Sequence, residues 1–483
     1  MNNRRMILHV LGEIFIVEAL LMLLPCITSL IYHETVLGAY LISVLITAAV
    51  GLVFVLRPVT DKRIYHRDGF AIVSIGWTAM SIFGALPFIF SGESPFFLDA
   101  VFESVSGFTT TGASILTGVE HLSHASLLWR SLTHWVGGMG VLAFLMVLIP
   151  VTGGGGNLNL MRAESPGVEV EKLVPKANST ARILYGIYIF GTLLLFGLLV
   201  LGRMPVFDAV NITFATAGTG GFAVLNSSMA SYSPYIQAVV TVFMVLFGIN
   251  FNLYFLILCR RFRDALRSEE LRAYLILFVS AVLFVTLDVY LDGIYATFGE
   301  SFRHSAFQVA SIMSTTGFAS ADFDKWPEVA RVVLVGVMCI GSCASSTAGG
   351  LKVSRVLLAV KSAGLEVKRV LNPHSVNVVT LEGKRVKSEV VKTTFAYVVL
   401  YIMIFAISLL VVSFDRMDFT TNVTGVLATL NNVGPGLSAV GPTGNFSAFS
   451  PLSKLVFIAD MLLGRLEIFP FLVLFTSLFR RVK

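Results

Sequence analysis

The stretch DAVFESVSGFTTTG, at Asp99–Gly112, is the first of four windows in this chain that follow one pattern. Each window aligns with the others without a gap and ends on a glycine. The other three are DAVNITFATAGTGG (Asp208–Gly221), HSAFQVASIMSTTG (His304–Gly317) and TNVTGVLATLNNVG (Thr421–Gly434). Their final glycines lie 109, 96 and 117 residues apart, a period too long for a solenoid. The pattern predicts four similar units that enclose one axis. Ordinary loops between helices are the alternative, and they do not account for four windows in register.

The composition places most of the chain in a membrane. Hydrophobic residues make up 55% of the chain and charged residues only 13%, with a mean hydropathy of +0.82. Soluble domains carry about 25% charged residues. A spanning helix needs about 20 apolar residues, and candidates lie near 6–31, 36–56, 69–91, 124–150, 182–202, 233–259, 271–292, 327–360, 392–413 and 451–479.

The last eight candidates form four pairs, and each pair brackets one window. The sequence therefore predicts an all-α membrane protein of about ten spans. Four repeats of helix, re-entrant half-helix and helix surround a central pore, after two extra N-terminal helices. The predicted units are 1–60 (the extra helix pair), then the pore repeats 61–165, 166–265, 266–375 and 376–483.

The net charge of +6 follows from membrane topology. Of the 35 basic residues, 27 fall in alternate loops: Arg4–Arg5, Arg57–Arg67, Arg162–Arg182, Arg260–Arg272, Lys352–Lys392 and Arg480–Lys483. This distribution follows the positive-inside rule, which predicts that both termini are cytoplasmic and that the windows face outward. The placement of the charges does not support binding to nucleic acid.

The windows are predicted to line a pathway for cations. Re-entrant backbone at membrane depth is tolerated where it lines a cavity, and residues with small side chains bring carbonyl oxygens close to an ion. Each half-helix also directs the negative end of its dipole towards the bend. Asp99, Glu103 and Asp208 lie earlier in the windows and fit capping of the half-helices, with attraction of cations to the mouth as the alternative. The predicted filter residues are Thr110, Thr111, Gly112, Gly220, Gly221, Thr315, Thr316, Gly317, Asn432, Val433 and Gly434.

A second candidate element interrupts the inner helix of the third repeat. The segment GSCASSTAGG (Gly341–Gly350) places small residues where an apolar helix should continue. A nucleotide phosphate loop is disfavoured because the GK[ST] ending is missing. We predict instead an unwound loop that crosses the pathway below the bends. Its predicted gating residues are Gly341, Ser345, Ser346, Gly349, Gly350 and Lys352.

Arg465 is a charged residue inside the last apolar span. Such a charge is costly in a membrane and faces a cavity or a partner. One interpretation places Arg465 in the pore as part of the gate. The other is an ion pair with Asp460 or Glu467 that only fixes helix packing.

Four motifs, together with the helix pairs, carry a family resemblance. They are SGFTTTGA (Ser106–Ala113), GSCASSTAGGLKVSR (Gly341–Arg355), NNVGPGL (Asn431–Leu437) and LGRLEIF (Leu463–Phe469). Over essentially its whole length the chain resembles the Trk/Ktr/HKT superfamily of potassium uptake proteins, and the two extra helices favour the TrkH branch over KtrB. The resemblance implies a bacterial inner-membrane protein with potassium ion as substrate and no covalent cofactor. It also implies one filter glycine per repeat, a loop across the pore and Arg465 projecting into it.

The resemblance also implies partners. They are a second copy in a homodimer and a cytosolic, TrkA-like nucleotide-binding ring. We place the ring at Arg260–Arg272 and Lys361–Lys392, where contact with anionic membrane lipids is the alternative. No nucleophile–base arrangement stands out, so we predict that the chain is not an enzyme. A sodium- or proton-coupled symporter of the KtrB kind remains the alternative function.

Overall fold

A computed structural model describes residues 3–59, 66–140, 177–372 and 378–472, and these are almost entirely helical. The α-helices are α1 Arg4–Leu21, α2 Leu23–Ile31, α3 Leu37–Val55, α4 His66–Gly84, α5 Leu86–Ser91, α6 Phe97–Phe108, α7 His124–Gly138, α8 Ala177–Leu201, α9 Val206–Gly218, α10 Pro234–Phe247, α11 Phe251–Leu258, α12 Phe262–Leu266, α13 Glu269–Leu291, α14 Phe298–Met313, α15 Glu328–Ile340, α16 Val353–Leu371, α17 Ser388–Val412, α18 Phe419–Leu430 and α19 Pro451–Arg465. Short 3-10 turns lie at Val119–His121, Phe323–Lys325, Ser413–Asp415 and Ser438–Val440. Strands β1 (Thr380–Leu381) and β2 (Lys384–Arg385) pair antiparallel. The predicted all-α class is confirmed.

Within the described residues, six helical segments are long and apolar enough to cross a membrane, or seven if α10 and α11 count as one bent span. The predicted spans near 124–150, 327–360 and 451–479 appear as the shorter helices α7, α15 and α19. The C-terminal ends of the first and third of these predictions lie outside the described residues. So do the predicted unit boundaries at 60/61, 165/166 and 375/376, whereas 265/266 falls inside α12.

The four repeats pack around one ring in a constant sense. Half-helices α6, α9, α14 and α18 carry the four windows, and the inner helix of each repeat packs against the half-helix of the next. Thus α7 lies on α9, α10 on α14, α15 on α18 and α19 on α6. Helices α1, α2 and α3 pack on the helices of the first repeat, and their buried residues join its core.

Three of the four inner helices begin at a serine cap that the sequence marks clearly. Ser123, Ser233 and Ser450 each cap a helix by accepting a hydrogen bond from the backbone N–H three residues later. Pro234 and Pro451 occupy the first helical position, where a missing N–H costs nothing. These caps fix where α7, α10 and α19 begin after the bends of their repeats.

The segment predicted as one span near 233–259 is broken. Helices α10 and α11 meet at an angle of 90°, between Gly248 and Asn250. The Asn250 side chain caps α11 by accepting from Asn252 N at 2.9 Å. A Cβ atom at Gly248 would lie 2.5 Å from the Tyr274 hydroxyl, so the packing against Tyr274 leaves no room for a side chain there. The break leaves backbone groups free to contact the third repeat.

Candidate ion pathway

All four half-helices end in the same turn. The residue two positions before the final glycine has a left-handed φ of 55° or 56°: Thr110, Thr219, Thr315 and Asn432. The next N–H reaches back to the carbonyl five residues earlier, the closing bond of a Schellman turn. These bonds are Thr111 N to Ser106 O (2.9 Å), Gly220 N to Ala215 O (2.8 Å), Thr316 N to Ser311 O (2.8 Å) and Val433 N to Ala428 O (2.8 Å). The fourth window, the least similar in sequence, therefore shares the register of the others.

Threonine is an unusual choice for this turn. A β-branched residue at positive φ is strained, and such strain concentrates at functional sites. Thr315 uses its side chain there, because its Oγ1 accepts from Gly349 N at 2.7 Å. Asn432 likewise donates to Thr111 Oγ1 and to Met461 O, each at 2.9 Å. These side chains connect the bend to its surroundings.

The final glycines form a closed ring of contacts. Each has a φ between 80° and 94° and lies against the carbonyl oxygen that precedes the glycine of the next repeat. A Cβ atom would stand 2.0 Å from Gly220 O at Gly112, 1.9 Å from Thr316 O at Gly221, 2.1 Å from Val433 O at Gly317 and 2.7 Å from Thr111 O at Gly434. The contacts run from repeat one to two, three, four and back to one. The structure thus brings all eleven predicted filter residues together.

Two cavities flank the ring. One is lined by all four final glycines and by residues that follow them, including Ala113, Phe222, Ala319 and Pro435. The other is lined by the predicted gating residues Ser345, Ser346, Gly349, Lys352 and Arg465, among others. We call the first the outer cavity and the second the inner cavity, after the orientation that the distribution of basic residues predicts.

The segment Gly341–Lys352, here called the crossing loop, joins α15 to α16 and runs under the ring. Besides the bond to Thr315, its Ser342 Oγ donates to Met313 O at 2.9 Å and Cys343 N donates to Gly248 O at 3.1 Å. A Cβ at Gly349 would lie 2.4 Å from Asn431 O. The predicted interruption of the helix is therefore present, and the loop contacts the ends of two half-helices.

The two ends of the crossing loop lie side by side. Lys352 N donates to Ile340 O at 2.9 Å, and Gly350 packs against Gly341, where both glycines have positive φ. Lys352 also folds its ammonium group back onto Ala348 O. The crossing loop therefore leaves the end of α15 and returns to it before α16 begins.

Arg465 joins three repeats around the inner cavity. Its guanidinium donates to Thr347 O and to Gly138 O, each at 2.7 Å, and to Gly137 O. Thr347 belongs to the crossing loop of repeat three, and the two glycines end α7 of repeat one. Of the two acids considered as partners, Glu467 pairs with Arg355 and Asp460 accepts from Ser408 at 2.7 Å. The geometry places Arg465 at the cavity with carbonyl oxygens as acceptors.

Sequence reasoning missed His134. Its buried ring contacts Gly107 O through Nδ1 at 2.7 Å, and its Nε2 accepts from Phe222 N at 3.2 Å, which places the proton on Nδ1. The ring also fills the space of a side chain at Gly220, whose Cβ would lie 2.2 Å from it. A single histidine in an apolar helix gives no signal of these contacts. Thr219, also missed, could have been found from the register of Thr110.

The acids in the windows have different roles. Asp99 and Asp208 stand in the first turns of α6 and α9, but neither caps its helix through a side-chain hydrogen bond. Asp99 instead forms an ion pair with Lys454 at 2.7 Å, and Asp208 accepts from the Tyr232 hydroxyl at 2.9 Å. Glu103 instead forms a buried ion pair with Arg130 at 2.7 Å and accepts from Ile115 N at 3.2 Å. The pair fixes the chain that leaves the first bend.

Re-entrant bends that close a ring inside a helical membrane protein define the class of four-repeat cation transport proteins. A family model described as "TrkH: Cation transport protein" matches residues 38–480. The chain belongs to the TrkH family. It is 36% identical to "Trk system potassium uptake protein TrkH" of Salmonella typhimurium and 34% identical to that of Halomonas elongata, in each case over 99% of both chains. A crystal structure of the potassium transporter TrkH from Vibrio parahaemolyticus matches with a TM-score of 0.88 at 31% identity, covering 99% of this chain and 100% of that one. The predicted resemblance is confirmed.

Proposed function

We propose that this chain takes up potassium through the ring of four bends. The observation that carries the proposal is the closed set of glycine–carbonyl contacts, because these contacts bring four backbone segments with their carbonyl oxygens together in one ring. Carbonyl oxygens replace the hydration shell of potassium, and no Asp or Glu occurs in the last eight positions of any window. Relatives over the full length are named potassium uptake proteins, and the fold class is that of the TrkH structure.

The crossing loop and Arg465 form the proposed gate. The loop lies between the ring and the inner cavity, and Arg465 bonds it to the end of α7. Ions that leave the ring inward meet this loop and a fixed positive charge. Opening the pathway then requires that the loop move and that Arg465 give up at least one carbonyl.

The proposed setting is a bacterial inner membrane with both termini in the cytoplasm. Basic residues at Arg260–Arg267 and on the β1–β2 hairpin are exposed and supply the proposed inner face. We assign to this face a TrkA-like nucleotide-binding ring, and we propose a homodimer with one pore per subunit. The name "Trk system" of the relatives supports a multi-component assembly.

Growth at limiting potassium tests the function. A bacterium that lacks its own uptake systems should grow at low potassium when it expresses this chain. The control is the same strain with an empty vector, and the chain's abundance in the membrane is measured in parallel. Absence of rescue at normal abundance would contradict any uptake role.

A sodium- or proton-coupled symporter is the second candidate. Buried Glu18, with both carboxylate oxygens lacking a hydrogen-bond partner among the described residues, is the kind of intramembrane acid that proton coupling uses.

A further inference from the structure

Side chains from three directions bond to the backbone of the crossing loop. Arg465 and Thr315, already described, belong to the gate and to a bend of the ring. Glu270, in the first turn of α13, is the third: its Oε1 accepts from Ala344 N at 2.7 Å. The Glu270 side chain is buried, and a hydrogen bond to a carboxylate is roughly twice as strong as one between neutral groups. Glu270 is thus a strong anchor on the cytoplasmic side of the loop.

The surroundings of Glu270 concentrate further loop contacts. Its Oε2 accepts from Asn250 Nδ2 at 3.5 Å, at the break between α10 and α11. The same break binds the loop through Phe251 N, which donates to Ser345 O at 3.0 Å. One carboxylate therefore connects repeat two, repeat three and the crossing loop.

Glu270 is in turn held from outside its own helix. Glu382 lies at the tip of the β1–β2 hairpin, where Glu382 and Gly383 have φ values of 54° and 71° and form a two-residue turn. Glu382 Oε1 accepts from Ser268 Oγ at 2.8 Å, Glu269 N at 2.9 Å and Glu270 N at 3.3 Å. The first N–H groups of a helix lack partners within it. The Glu382 carboxylate accepts hydrogen bonds from these N–H groups of α13 and so fixes the backbone of Glu270.

The hairpin also contacts α16, the helix that follows the crossing loop. Lys361 of α16 donates to Thr380 O at 2.9 Å and forms an ion pair with Glu269. These contacts form a closed circuit. The loop continues into α16, Lys361 of α16 contacts the hairpin, the hairpin contacts α13, and Glu270 of α13 contacts the loop. Glu382 and its neighbours in the turn are exposed, so this circuit reaches the protein surface.

We propose that Glu270 and Glu382 are positioning residues for the gate: Glu270 holds the crossing loop across the pathway, and Glu382 holds Glu270. The inference rests on the proposed transport function. Its consequence is that a molecule which displaces the exposed hairpin loosens the loop from two sides at once, through α13 and through α16.

The test uses the full-length chain in liposomes. Potassium efflux is measured for wild type, Glu270→Ala, Glu270→Gln, Glu382→Ala and the double alanine variant. A second measurement follows the reaction of an added cysteine, Ser346→Cys, with an impermeant thiol reagent from the inner side, corrected for the parent without it. The matched control is Glu366→Ala, which breaks the exposed Glu366–Arg369 pair on α16, a pair that takes no part in the contacts described above. Gel filtration checks that each variant is folded.

Glu270→Ala should raise the flux about tenfold, the order expected when one hydrogen bond to a charged group is lost. Glu270→Gln keeps an oxygen acceptor and should fall between wild type and alanine. Glu382→Ala should act in the same direction, and the double variant should not exceed Glu270→Ala, because the Glu382 side chain acts on the loop through Glu270. Cysteine labelling should accelerate with the flux, whereas Glu366→Ala should match wild type in both readings.

Exposed Glu382 makes the test independent of the folding of the Glu270 variants. The proposal is overturned if folded Glu382→Ala protein keeps wild-type flux and wild-type labelling. It is also overturned if the flux falls in a variant of Glu270 or Glu382, or if the two rises in flux add in the double variant. If wild-type protein itself moves no potassium, the proposed function fails instead. The two failures are thus distinguishable.

Discussion

The four final glycines meet two separate demands. Each has a positive φ, which any non-glycine residue adopts with strain. Each also packs against a carbonyl oxygen of the next repeat, so a side chain has no room. Gly92 meets only the first demand, because it has a φ of 77° and no atom within 4 Å of an added Cβ. A substitution at Gly92 therefore tests backbone strain alone, whereas a substitution at a final glycine tests backbone strain and the ring contact together.

We predict that Gly112→Ser reduces the preference for potassium over sodium, because the new Cβ forces Gly220 O outward from its 2.0 Å clash. A change on the order of tenfold in the flux ratio corresponds to about 1.4 kcal/mol in relative binding. Gly434→Ser should be milder, since its clash is at 2.7 Å. Rubidium and sodium fluxes in liposomes measure the effect, with Gly92→Ser as the control. Unchanged flux ratios for Gly112→Ser would rule out the filter assignment.

At the scale of elements, the crossing loop is a removable part. Its ends are already hydrogen-bonded to each other, so joining Ile340 to Leu351 needs little rearrangement of α15 and α16. Removal also takes away Thr347 O, one acceptor of Arg465.

We predict that deletion of Gly341–Gly350 raises potassium conductance, because it removes the backbone that lies between the ring and the inner cavity. Single-channel or liposome flux measurements give the readout, with the preference for potassium over sodium expected to stay near that of wild type. A fall in conductance, or no change in a folded protein, would argue against a gating role for the loop.

The elements were predictable to the extent that local sequence determines them. The windows gave the half-helices and bends, and GSCASSTAGG gave the loop, because small residues and left-handed turns leave marks in sequence. The 90° break at Gly248 was missed, since one glycine in an apolar run does not indicate a bend. The contacts of His134, Glu270 and Glu382 join residues far apart in the chain, and no local pattern announces them.

At the scale of the whole molecule, the arrangement of the ring and the crossing loop bears on whether potassium transport is coupled to a second ion. The crossing loop packs directly against the ends of two half-helices of the ring, and this arrangement suits passive flow down the electrochemical gradient. We predict that potassium flux at fixed membrane potential is insensitive to imposed sodium or proton gradients. Flux assays in liposomes with each gradient applied separately provide the check. A flux driven uphill by either gradient would favour the symporter instead, and Glu18→Gln would then show whether a proton site at Glu18 is responsible.

The contact between His134 and Gly220 has a consequence for how such a pore can be assembled. His134 of repeat one occupies the room that a side chain before the second final glycine would need. Repeat one itself carries Thr111 at that position. In four identical copies of repeat one, His134 would therefore clash with Thr111 at every junction between copies. A single polypeptide avoids this clash, because at each junction between repeats a bulky residue can face a small one, independently of the other junctions. Fusing the quarters into one chain therefore allows an asymmetric pore that no homotetramer of its first quarter could form.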